Sequence, residues 1–475
     1  MPYTVLDLFA GGGGFSTGFQ MSRRENETFE IITAVELNKD ACDTLRAHLG
    51  TEKVIEGDIT DPQIKERVVA ACREVDVIIG GPPCQTYSLA GPSRSGKPEM
   101  REALRTDPRN TLFRHFFDLV DRIRPRVVVF ENVEGITSKQ LNASSEDELS
   151  HKDQVAIEVI CDELESLGYS TRLEGDFTRR YQILNAVNYN VPQQRKRVII
   201  IANRLDRVNP MVNEKNTDRP ITLKEVLGNL PVTLPKISSN NMDKLKNMDV
   251  ILDNLDRCLN SVVSSVKMLK ESYSNQIEVQ SDEFNNILAY LNDESFKLKD
   301  SKRSRTDKLL FLEGLLKGYN ELLQIYTKRY FSDEVQQFQL SRAHNFRDVV
   351  IFSMMRPGTS SAQFINKESQ AYDSFLDELY PYDRTKHIDT YVKHSWDKPS
   401  NTILSHMEKD GLKFIHPDQP RTFTPYEAAL IQSFPLDYQF CGGRNAQYRQ
   451  IGNAVPPLLA RSIGESILRL LERIE

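Results

Sequence analysis

Apolar residues in the first part of the chain fall into short runs that are separated by segments with helical spacing. The runs are Tyr3–Leu8, Ile31–Val35, Val54–Glu56, Val75–Ile79, Val127–Phe130, Tyr181–Asn185 and Arg197–Ala202. Several are continuous stretches of Val, Ile and Leu, which is typical of strands buried on both faces. Strands that alternate with helices favour a parallel sheet with right-handed crossovers. The pattern therefore predicts a doubly wound, mostly parallel α/β domain.

The pattern changes beyond about residue 205, where polar residues become more frequent. Within 240–330, apolar residues recur every three or four positions in two stretches, from Ile251 to Leu269 and from Leu312 to Tyr326. We predict two long amphipathic helices, which could form an antiparallel pair. Their heptads are few and irregular, which favours an ordinary packing face over a partner-binding coiled coil. After residue 396 the chain returns to compact motifs and ends in a predicted amphipathic helix with Ile463, Ile467 and Leu470 on one side.

Composition limits the classes of protein that fit this pattern. The length of 475 residues suggests two or three structural units, and the hydrophobic and charged shares of 39% and 27% are ordinary for a soluble protein. No stretch is long and apolar enough to cross a bilayer, and the N-terminus lacks the features of a secretion signal. We therefore expect a soluble, cytoplasmic protein. The six cysteines include no C-x-x-C pair, which argues against a metal site or a disulfide framework.

The net charge of −6 does not by itself indicate nucleic-acid binding. A DNA-binding face needs only a local basic patch, however. Basic residues are frequent in 94–109 and again in 297–308. Acidic residues are interspersed in both stretches, so each could also be a solvated charged surface.

A glycine-rich turn follows the first predicted strand, in the segment DLFAGGGGF at 7–15. Glycines there allow a tight turn and the close approach of a ligand, which doubly wound sheets bind outside the carboxyl ends of their strands. The second strand ends at Glu36, where an acid can bind ribose hydroxyls, and the third leads to Asp58, which could accept from an adenine amine. Alone, a glycine run indicates only a tight strand–helix turn. Because the run is not a strict G-x-G-x-x-G and no Walker lysine follows, an adenosine ligand without a pyrophosphate, such as S-adenosylmethionine, fits better.

Cys84 comes directly after two prolines, beyond the predicted strand Val75–Ile79. The prolines stiffen the backbone, and the cysteine would face the same crevice as the cofactor. A nucleophilic cysteine needs an electropositive, partly exposed setting, whereas the other five are expected to be inert and buried. Glu131 ends the next strand and is a candidate general acid, which Arg195 and Arg197 could orient. Each of these three charged residues could instead be an ordinary surface group.

Six segments in order resemble the motif set of the DNA cytosine-5 methyltransferase family. They are DLFAGGGGF, GGPPCQTYS, ENVEG, QQRKRVIIIA, RTFTPYEAALIQSFP and GNAVPP, and they span nearly the whole chain. The resemblance implies the fold of S-adenosylmethionine-dependent methyltransferases. It also implies a catalytic domain in 1–205, a separate target recognition domain in 206–395 with the helical segment 240–330 as an insertion, and a return to the catalytic domain in 396–475.

The resemblance implies roles for individual residues. Cys84 would attack carbon 6 of cytosine, Glu131 would contact the N3 side of the base, and Arg195 and Arg197 would support Glu131 and the cytosine oxygen. The cofactor would be held by Phe9, Gly11, Gly13, Gly14, Glu36, Asp58, Ile59, Pro83 and Asn453. The target cytosine must flip out of the duplex to reach the thiol. The loop after Cys84 would then close over it and contact DNA through Gln85, Ser88, Arg94, Arg101 and Arg109.

The family resemblance implies duplex DNA as substrate, S-adenosylmethionine as cofactor and monomeric action, in a bacterial or phage setting where a restriction endonuclease can accompany the enzyme. Three alternatives stay open. They are a tRNA-type RNA cytosine methyltransferase, a catalytically inactive DNA-binding homologue and a nucleotide-binding dehydrogenase, although the last leaves PPCQ and ENV unexplained. No motif in 205–395 encodes the recognised sequence, and His344, Arg347 and Arg356 could equally contact DNA or lie in a surface loop.

Overall fold

The computed structural model describes residues 1–83, 112–138, 155–215, 219–239, 241–273, 304–331, 338–409 and 411–472. Cys84 and the predicted DNA-contacting residues Gln85, Ser88, Arg94, Arg101 and Arg109 lie outside these ranges. None of the helices within them combines the length and the apolar character that a membrane crossing requires.

The strands of the described ranges form a large sheet and a two-stranded sheet. The large sheet contains β1 (Tyr3–Leu8), β2 (Arg23–Arg24), β3 (Glu27–Glu36), β4 (Val54–Glu56), β5 (Val77–Gly80), β6 (Val127–Val133), β7 (Gln182–Asn185) and β8 (Lys196–Asn203). Their order is β2–β3–β1–β5–β6–β8–β7, with β4 also paired to β3. Strands β4, β3, β1, β5 and β6 are parallel, so their carboxyl ends lie side by side. The small sheet pairs β9 (Ile237–Ser238) with β10 (His344–Asn345).

All seven strands that the sequence predicted are present, with small changes in their bounds. The exceptions to the parallel arrangement lie at the two edges, where β2 runs antiparallel to β3 and β8 runs antiparallel to both β6 and β7. Because β7 and β8 follow one another without an intervening α-helix, they can pair antiparallel and need no crossover. The sheet is still mostly parallel, as the doubly wound prediction requires.

The helices of the described ranges follow one another along the chain from the glycine-rich turn to the C-terminal segment. They are α1 (Gly14–Met21), α2 (Lys39–Leu49), α3 (Pro62–Ala71), α4 (Leu112–Ile123), α5 (Ala156–Ser166), α6 (Leu223–Leu227), α7 (Met248–Asp253), α8 (Leu255–Tyr273), α9 (Arg305–Tyr330), α10 (Phe346–Met354), α11 (Ser361–Phe364), α12 (Ser374–Leu379), α13 (Pro425–Ile431), α14 (Arg444–Asn453) and α15 (Pro457–Glu472).

Helices cover both faces of the large sheet because alternate residues of its central strands are apolar and point to opposite sides. On one face, Val5 and Ile79 are buried with α1 and α15. On the other face, Leu6 and Ile78 are buried with α3, α4 and α5. Helices α1 and α15 approach closely at Gly18, where an added Cβ would lie 2.4 Å from the Cβ of Ala460. The C-terminal helix therefore completes the layer that the first helix begins.

A second apolar cluster lies in the middle of the chain and involves α7, α8, α9, α10 and α12. The predicted stretch from Leu312 to Tyr326 lies within the single helix α9. The stretch from Ile251 to Leu269, predicted as one helix, is divided between α7 and α8. The division occurs at Asn254, whose backbone leaves the helical region and whose side chain donates to the carbonyl of Val250 at 2.9 Å. Asparagine competes in this way with the helical hydrogen bonds, which explains the break.

Candidate active site

The glycine-rich turn links β1 to α1 in an unusual backbone conformation. Phe9, Gly11 and Gly13 have φ values of 60°, 55° and 79°, a region that glycine enters at little cost. The turn is held by the amide of Gly11, which donates to Oε2 of Glu36 at 2.8 Å. The carboxyl end of β1 is therefore tied to the carboxyl end of β3, the edge at which ligands of such sheets bind.

The glycines of this turn have different neighbours. A Cβ at Gly11 would have no atom within 4 Å, so this position faces open space. A Cβ at Gly13 would lie 2.4 Å from the hydroxyl of Tyr438, and one at Gly14 would lie 2.2 Å from the carbonyl oxygen of Val455. Gly11 is thus the glycine that leaves room for a ligand. Gly13 and Gly14 are required by the close packing of the turn against the C-terminal segment.

The other predicted cofactor residues near this edge are Glu36, Asp58 and Ile59. Oε1 of Glu36 accepts from the amides of Leu37 at 2.9 Å and Asn38 at 2.8 Å, which fixes the carboxylate at the mouth of the crevice. Asp58 is exposed and Ile59 is buried. Leu37 is 64% exposed beside Glu36, so an apolar surface is left uncovered there.

Asp7 is a buried acid that sequence reasoning did not select, although it opens the glycine-rich segment. It lies at 1% exposure beneath the turn and accepts from the hydroxyl of Ser16 at 2.5 Å. Burial raises the pKa of Asp7 to about 7, while the Ser16 hydrogen bonds act in the opposite direction. The group can therefore gain or lose a proton near neutral pH.

Glu131, which lies in β6 near its carboxyl end, faces the strand that leads to Cys84. A Cβ added to Gly81 would lie 2.6 Å from Oε2 of Glu131, so a larger residue there would force this carboxyl group to shift. Arg197 donates from Nε to Oε1 of Glu131 at 2.7 Å, and the two side chains are only 12% and 13% exposed. Burial raises the pKa of Glu131, although the charges of Arg197 and Arg195 lower it. A carboxyl group in this setting keeps a proton more readily than one on the surface.

Asn132 fixes the backbone next to this glutamate and was named by sequence analysis only as part of the ENV segment. Its Nδ2 donates to the carbonyl of Pro82 at 3.2 Å, which ties β6 to the segment after β5. Pro83 is exposed at the end of that segment and is followed directly by Cys84. The position of Glu131 relative to the start of the cysteine loop is therefore held by a side-chain hydrogen bond.

Arg195 lies in a different environment from Arg197, although both were predicted to support Glu131. It is 1% exposed and donates to three backbone carbonyls, those of Ile403 at 2.7 Å, Gly452 at 3.0 Å and Ala454 at 2.9 Å. Burial holds its pKa well below the usual value, with repulsion from Arg197 as the next cause. The carbonyl groups at the C-terminal end of α14 partly compensate this buried charge. Arg195 therefore joins the C-terminal segment to β8 and makes no direct hydrogen bond to Glu131.

Two buried glutamines, which the sequence analysis did not select, extend this connection. Gln193 accepts from the amide of Ile403 at 2.7 Å and donates to Oε1 of Gln432 at 2.9 Å. Gln432 donates in turn to the carbonyl of Ile451 at 2.6 Å. Asn453, the predicted cofactor residue of the C-terminal motif, is exposed and lies between the two carbonyls that Arg195 holds.

The remaining residues that the sequence singled out are mostly buried. Burial raises the pKa of the Cys42, Cys161 and Cys258 thiols to about 12, and Cys72 is buried as well. Cys441 is only half-buried, so the expectation of burial is wrong for this cysteine. His344 and Arg347 are 5% and 7% exposed, so neither lies in a surface loop where it would contact DNA. Arg347 is paired with Asp348 at 2.9 Å, and both residues are buried.

A family model described as C-5 cytosine-specific DNA methylase matches residues 3–469. The match covers nearly the whole chain, so the protein belongs to this family and is, by class, a DNA cytosine-5 methyltransferase. The resemblance that the six motifs suggested is thereby confirmed.

Several curated proteins are similar to this chain over nearly its full length. M.OihORF3336P of Oceanobacillus iheyensis is 27% identical over 98% of this chain and 96% of its own length. The type II methyltransferase M.Bpa9945I of Bacillus paralicheniformis is 26% identical over 98% of both chains. Among solved structures, a chain described as a DNA modification methyltransferase encoded within an Escherichia coli prophage matches with a TM-score of 0.55, 20% identity and 99% coverage of each chain. This last likeness shows a shared fold.

Proposed function

We propose that this protein transfers a methyl group from S-adenosylmethionine to carbon 5 of a cytosine within a specific sequence of duplex DNA. The observation that carries the proposal is Glu131, whose side chain is only 13% exposed, is paired with Arg197 and lies against Gly81, three positions before Cys84. A protonatable carboxyl group beside the segment that leads to a cysteine is what addition of a thiolate to a cytosine ring requires.

The residues at the carboxyl ends of β1, β3 and β4 fit S-adenosylmethionine. Gly11 leaves open space, Glu36 presents a fixed carboxylate, and Leu37 offers an exposed apolar surface. We assign the ribose hydroxyls to Glu36 and the adenine to Phe9, Asp58 and Ile59, with Pro83 and Asn453 bordering the crevice. Gly13 and Gly14 would contribute through the shape of the turn. When bound, S-adenosylmethionine supplies an electrophilic methyl carbon that carbon 5 of the base takes up.

Cys84 and Glu131 would act together on the cytosine ring. The Cys84 thiolate forms a bond to carbon 6 and moves electron density toward carbon 5, which is a poor nucleophile in the aromatic ring. Glu131 donates a hydrogen bond or a proton at N3 and so stabilises the charge that develops there. Its raised pKa favours the protonated form that can donate. Loss of the carbon 5 proton and departure of the Cys84 thiolate restore the aromatic ring.

The target base must leave the duplex before Cys84 can reach it, at a cost of roughly a few kcal/mol. We propose that the loop after Cys84 closes over the flipped base and contacts DNA through Gln85, Ser88, Arg94, Arg101 and Arg109. Regions 1–205 and 396–475 would form the catalytic part, and 206–395 would select the target sequence. The type II names of several relatives support a restriction–modification setting in a bacterial cytoplasm, with a cognate endonuclease as functional partner and the methyltransferase as a monomer.

Transfer of a labelled methyl group from S-adenosylmethionine to nucleic acid tests this proposal. The wild type and the control Cys441→Ser should label duplex DNA, whereas Cys84→Ser should not. Bisulfite sequencing of the product should place the methyl group on cytosines in one recurring sequence. Label on RNA but not on DNA would redirect the protein to the tRNA-type activity. Equal labelling of DNA by Cys84→Ser would remove Cys84 from the mechanism.

A further inference from the structure

Two arginines beside α14 differ from their neighbours in having no carboxylate partner. Arg421 is paired with Glu427 at 2.6 Å, and Arg449 is paired with Glu408 at 2.7 Å. Arg342 and Arg444 make no ion pair with any residue in the described ranges, and the Nε atom of each is buried without an acceptor. These two guanidinium groups thus lack a carboxylate partner within the described ranges, in a chain whose net charge is −6.

Both arginines lie near Tyr448. The guanidinium of Arg342 is 5.1 Å from the ring centroid of Tyr448, and it donates to the carbonyls of Met407 and Glu408. Arg444 lies one helical turn before Tyr448 on α14. Burial lowers the pKa of Arg444, and the charge of Arg342 acts in the same direction while Tyr448 opposes it. The fold therefore holds two like charges near each other, an arrangement that an anion would stabilise.

The surroundings leave this pair accessible. Both side chains are half-buried, and the adjacent Gly442 and Gly443 are exposed. No side chain caps the N-terminus of α14, so its first amides add to the positive potential there. The partial exposure of the two arginines and the uncapped N-terminus of α14 both favour the binding of an anion here.

We propose that Arg342 and Arg444 bind a backbone phosphate of the DNA substrate. This inference rests on the proposed function, because it takes duplex DNA as the ligand. Arg444 and Asn453, the residue of α14 that we assign to the cofactor crevice, are nine positions apart on the helix, which corresponds to about 14 Å. Every nucleotide of the duplex carries a backbone phosphate whatever its base, so the site would accept any sequence. Such a contact fixes the register of the duplex and carries no sequence information.

The test measures the affinity and salt dependence of DNA binding for charge-altered variants. Arg444→Gln removes the charge and keeps most of the side chain, and Arg444→Lys keeps the charge. Arg67, exposed on α3 at a distant face of the sheet, provides the matched control Arg67→Gln. Fluorescence anisotropy with a duplex that carries the mapped target sequence, and with an unrelated duplex, gives Kd at several salt concentrations. S-adenosylmethionine affinity is measured in parallel.

Arg444→Gln should weaken binding of both duplexes about tenfold and lower the slope of log K against log salt by about 0.9. Arg444→Lys and Arg67→Gln should keep the wild-type slope, and S-adenosylmethionine affinity should be unchanged in all variants. The inference is overturned if Arg444→Gln binds like the wild type, or if Arg444→Lys loses the slope as fully as Arg444→Gln. A wild type that neither binds nor methylates duplex DNA would instead overturn the proposed function, so the two failures are distinguishable.

Discussion

Arg197 lies in β8 and Arg195 directly precedes the first residue of that strand, and the structure predicts that changing each to lysine has a different consequence. Lysine keeps the charge and loses the planar fork of donors. In Arg195→Lys, a single ammonium group replaces a guanidinium that reaches the carbonyls of Ile403, Gly452 and Ala454. In Arg197→Lys, the ammonium needs to reach only the carboxylate of Glu131. We therefore expect Arg195→Lys to affect stability and cofactor binding, and Arg197→Lys to affect turnover.

The size of the first effect follows from the acceptors that are left behind. A lysine at 195 can satisfy one or two of the three carbonyls, and each buried carbonyl without a donor costs about 1–3 kcal/mol. Since one or two carbonyls lose their donor, Arg195→Lys should lower the free energy of unfolding by roughly 1–6 kcal/mol. Since Gly452 and Ala454 flank Asn453, it should also raise KM for S-adenosylmethionine. Arg197→Lys should cost about 1 kcal/mol or less in stability, and it should lower kcat by about tenfold or more because Glu131 loses its orientation.

Urea titration followed by intrinsic fluorescence provides the stability measurement. Trp396 is the only tryptophan of the chain, and its indole donates to Asp418 at 2.6 Å in the segment that leads to Ile403. Its emission therefore reports on the segment that Arg195 holds. Initial rates of methyl transfer at varied S-adenosylmethionine give KM and kcat. Wild-type stability in Arg195→Lys, combined with a large stability loss in Arg197→Lys, would refute the division of roles.

Three further predictions follow from other parts of the site. Glu131→Gln should lower turnover by about a hundredfold or more, because the variant loses the proton donor at N3 of the base. S-adenosylmethionine binding, measured by calorimetry, should stay unchanged. Turnover equal to that of the wild type would contradict the role of Glu131. Gly14→Ala should lower the free energy of unfolding by about 3 kcal/mol in urea titrations, because the added Cβ would lie 2.2 Å from a backbone carbonyl oxygen. Gly11→Ala has free space and should lower it by only about 1–2 kcal/mol, because of the positive φ at this position. A larger loss in Gly11→Ala than in Gly14→Ala would contradict the description of the turn. Burial lowers the pKa of His394 to about 4, whereas a histidine in the unfolded chain has a pKa of about 6.5. As the pH falls, the unfolded chain therefore binds a proton at this residue before the folded protein does. The free energy of unfolding should fall as the pH drops from about 6.5 toward 4. His394→Phe should reduce the stability lost between about pH 7.5 and pH 5 by about 2 kcal/mol, and an unchanged pH dependence would show that this histidine is not the group concerned.

The strands of the large sheet could be predicted because their apolar runs are continuous and each is followed by turn residues. The same runs carry no information on strand direction, so the antiparallel edge formed by β7 and β8 was not foreseen. The break between α7 and α8 depends on one asparagine side chain, and the apolar period continues across it. Pattern alone therefore identified these elements, whereas local hydrogen bonds decided how they end and pair.

The site could be predicted where its residues are adjacent in sequence to strand ends, as with Glu36 and Glu131. The partners that fix the site lie far away in the chain and leave no local pattern. Arg195 binds carbonyls more than two hundred positions away, and Gln432 reaches Gln193 across a separation of 239. The division between Gly11, which faces open space, and Gly14, which packs on Val455, likewise depends on a segment near the other end of the chain.

Covalent trapping on a modified duplex tests the central claim, that Cys84 adds to cytosine beside Glu131. Fluorine at carbon 5 of the target cytosine removes the proton whose loss would release the enzyme, so the adduct should persist. With S-adenosylmethionine and a duplex containing 5-fluorocytosine at the mapped site, the wild type should give a stable protein–DNA species whose modified peptide contains Cys84. Cys84→Ser should give none, and Cys441→Ser should behave as the wild type. Trapping through another residue, or efficient methylation of ordinary duplex by Cys84→Ser, would contradict the account.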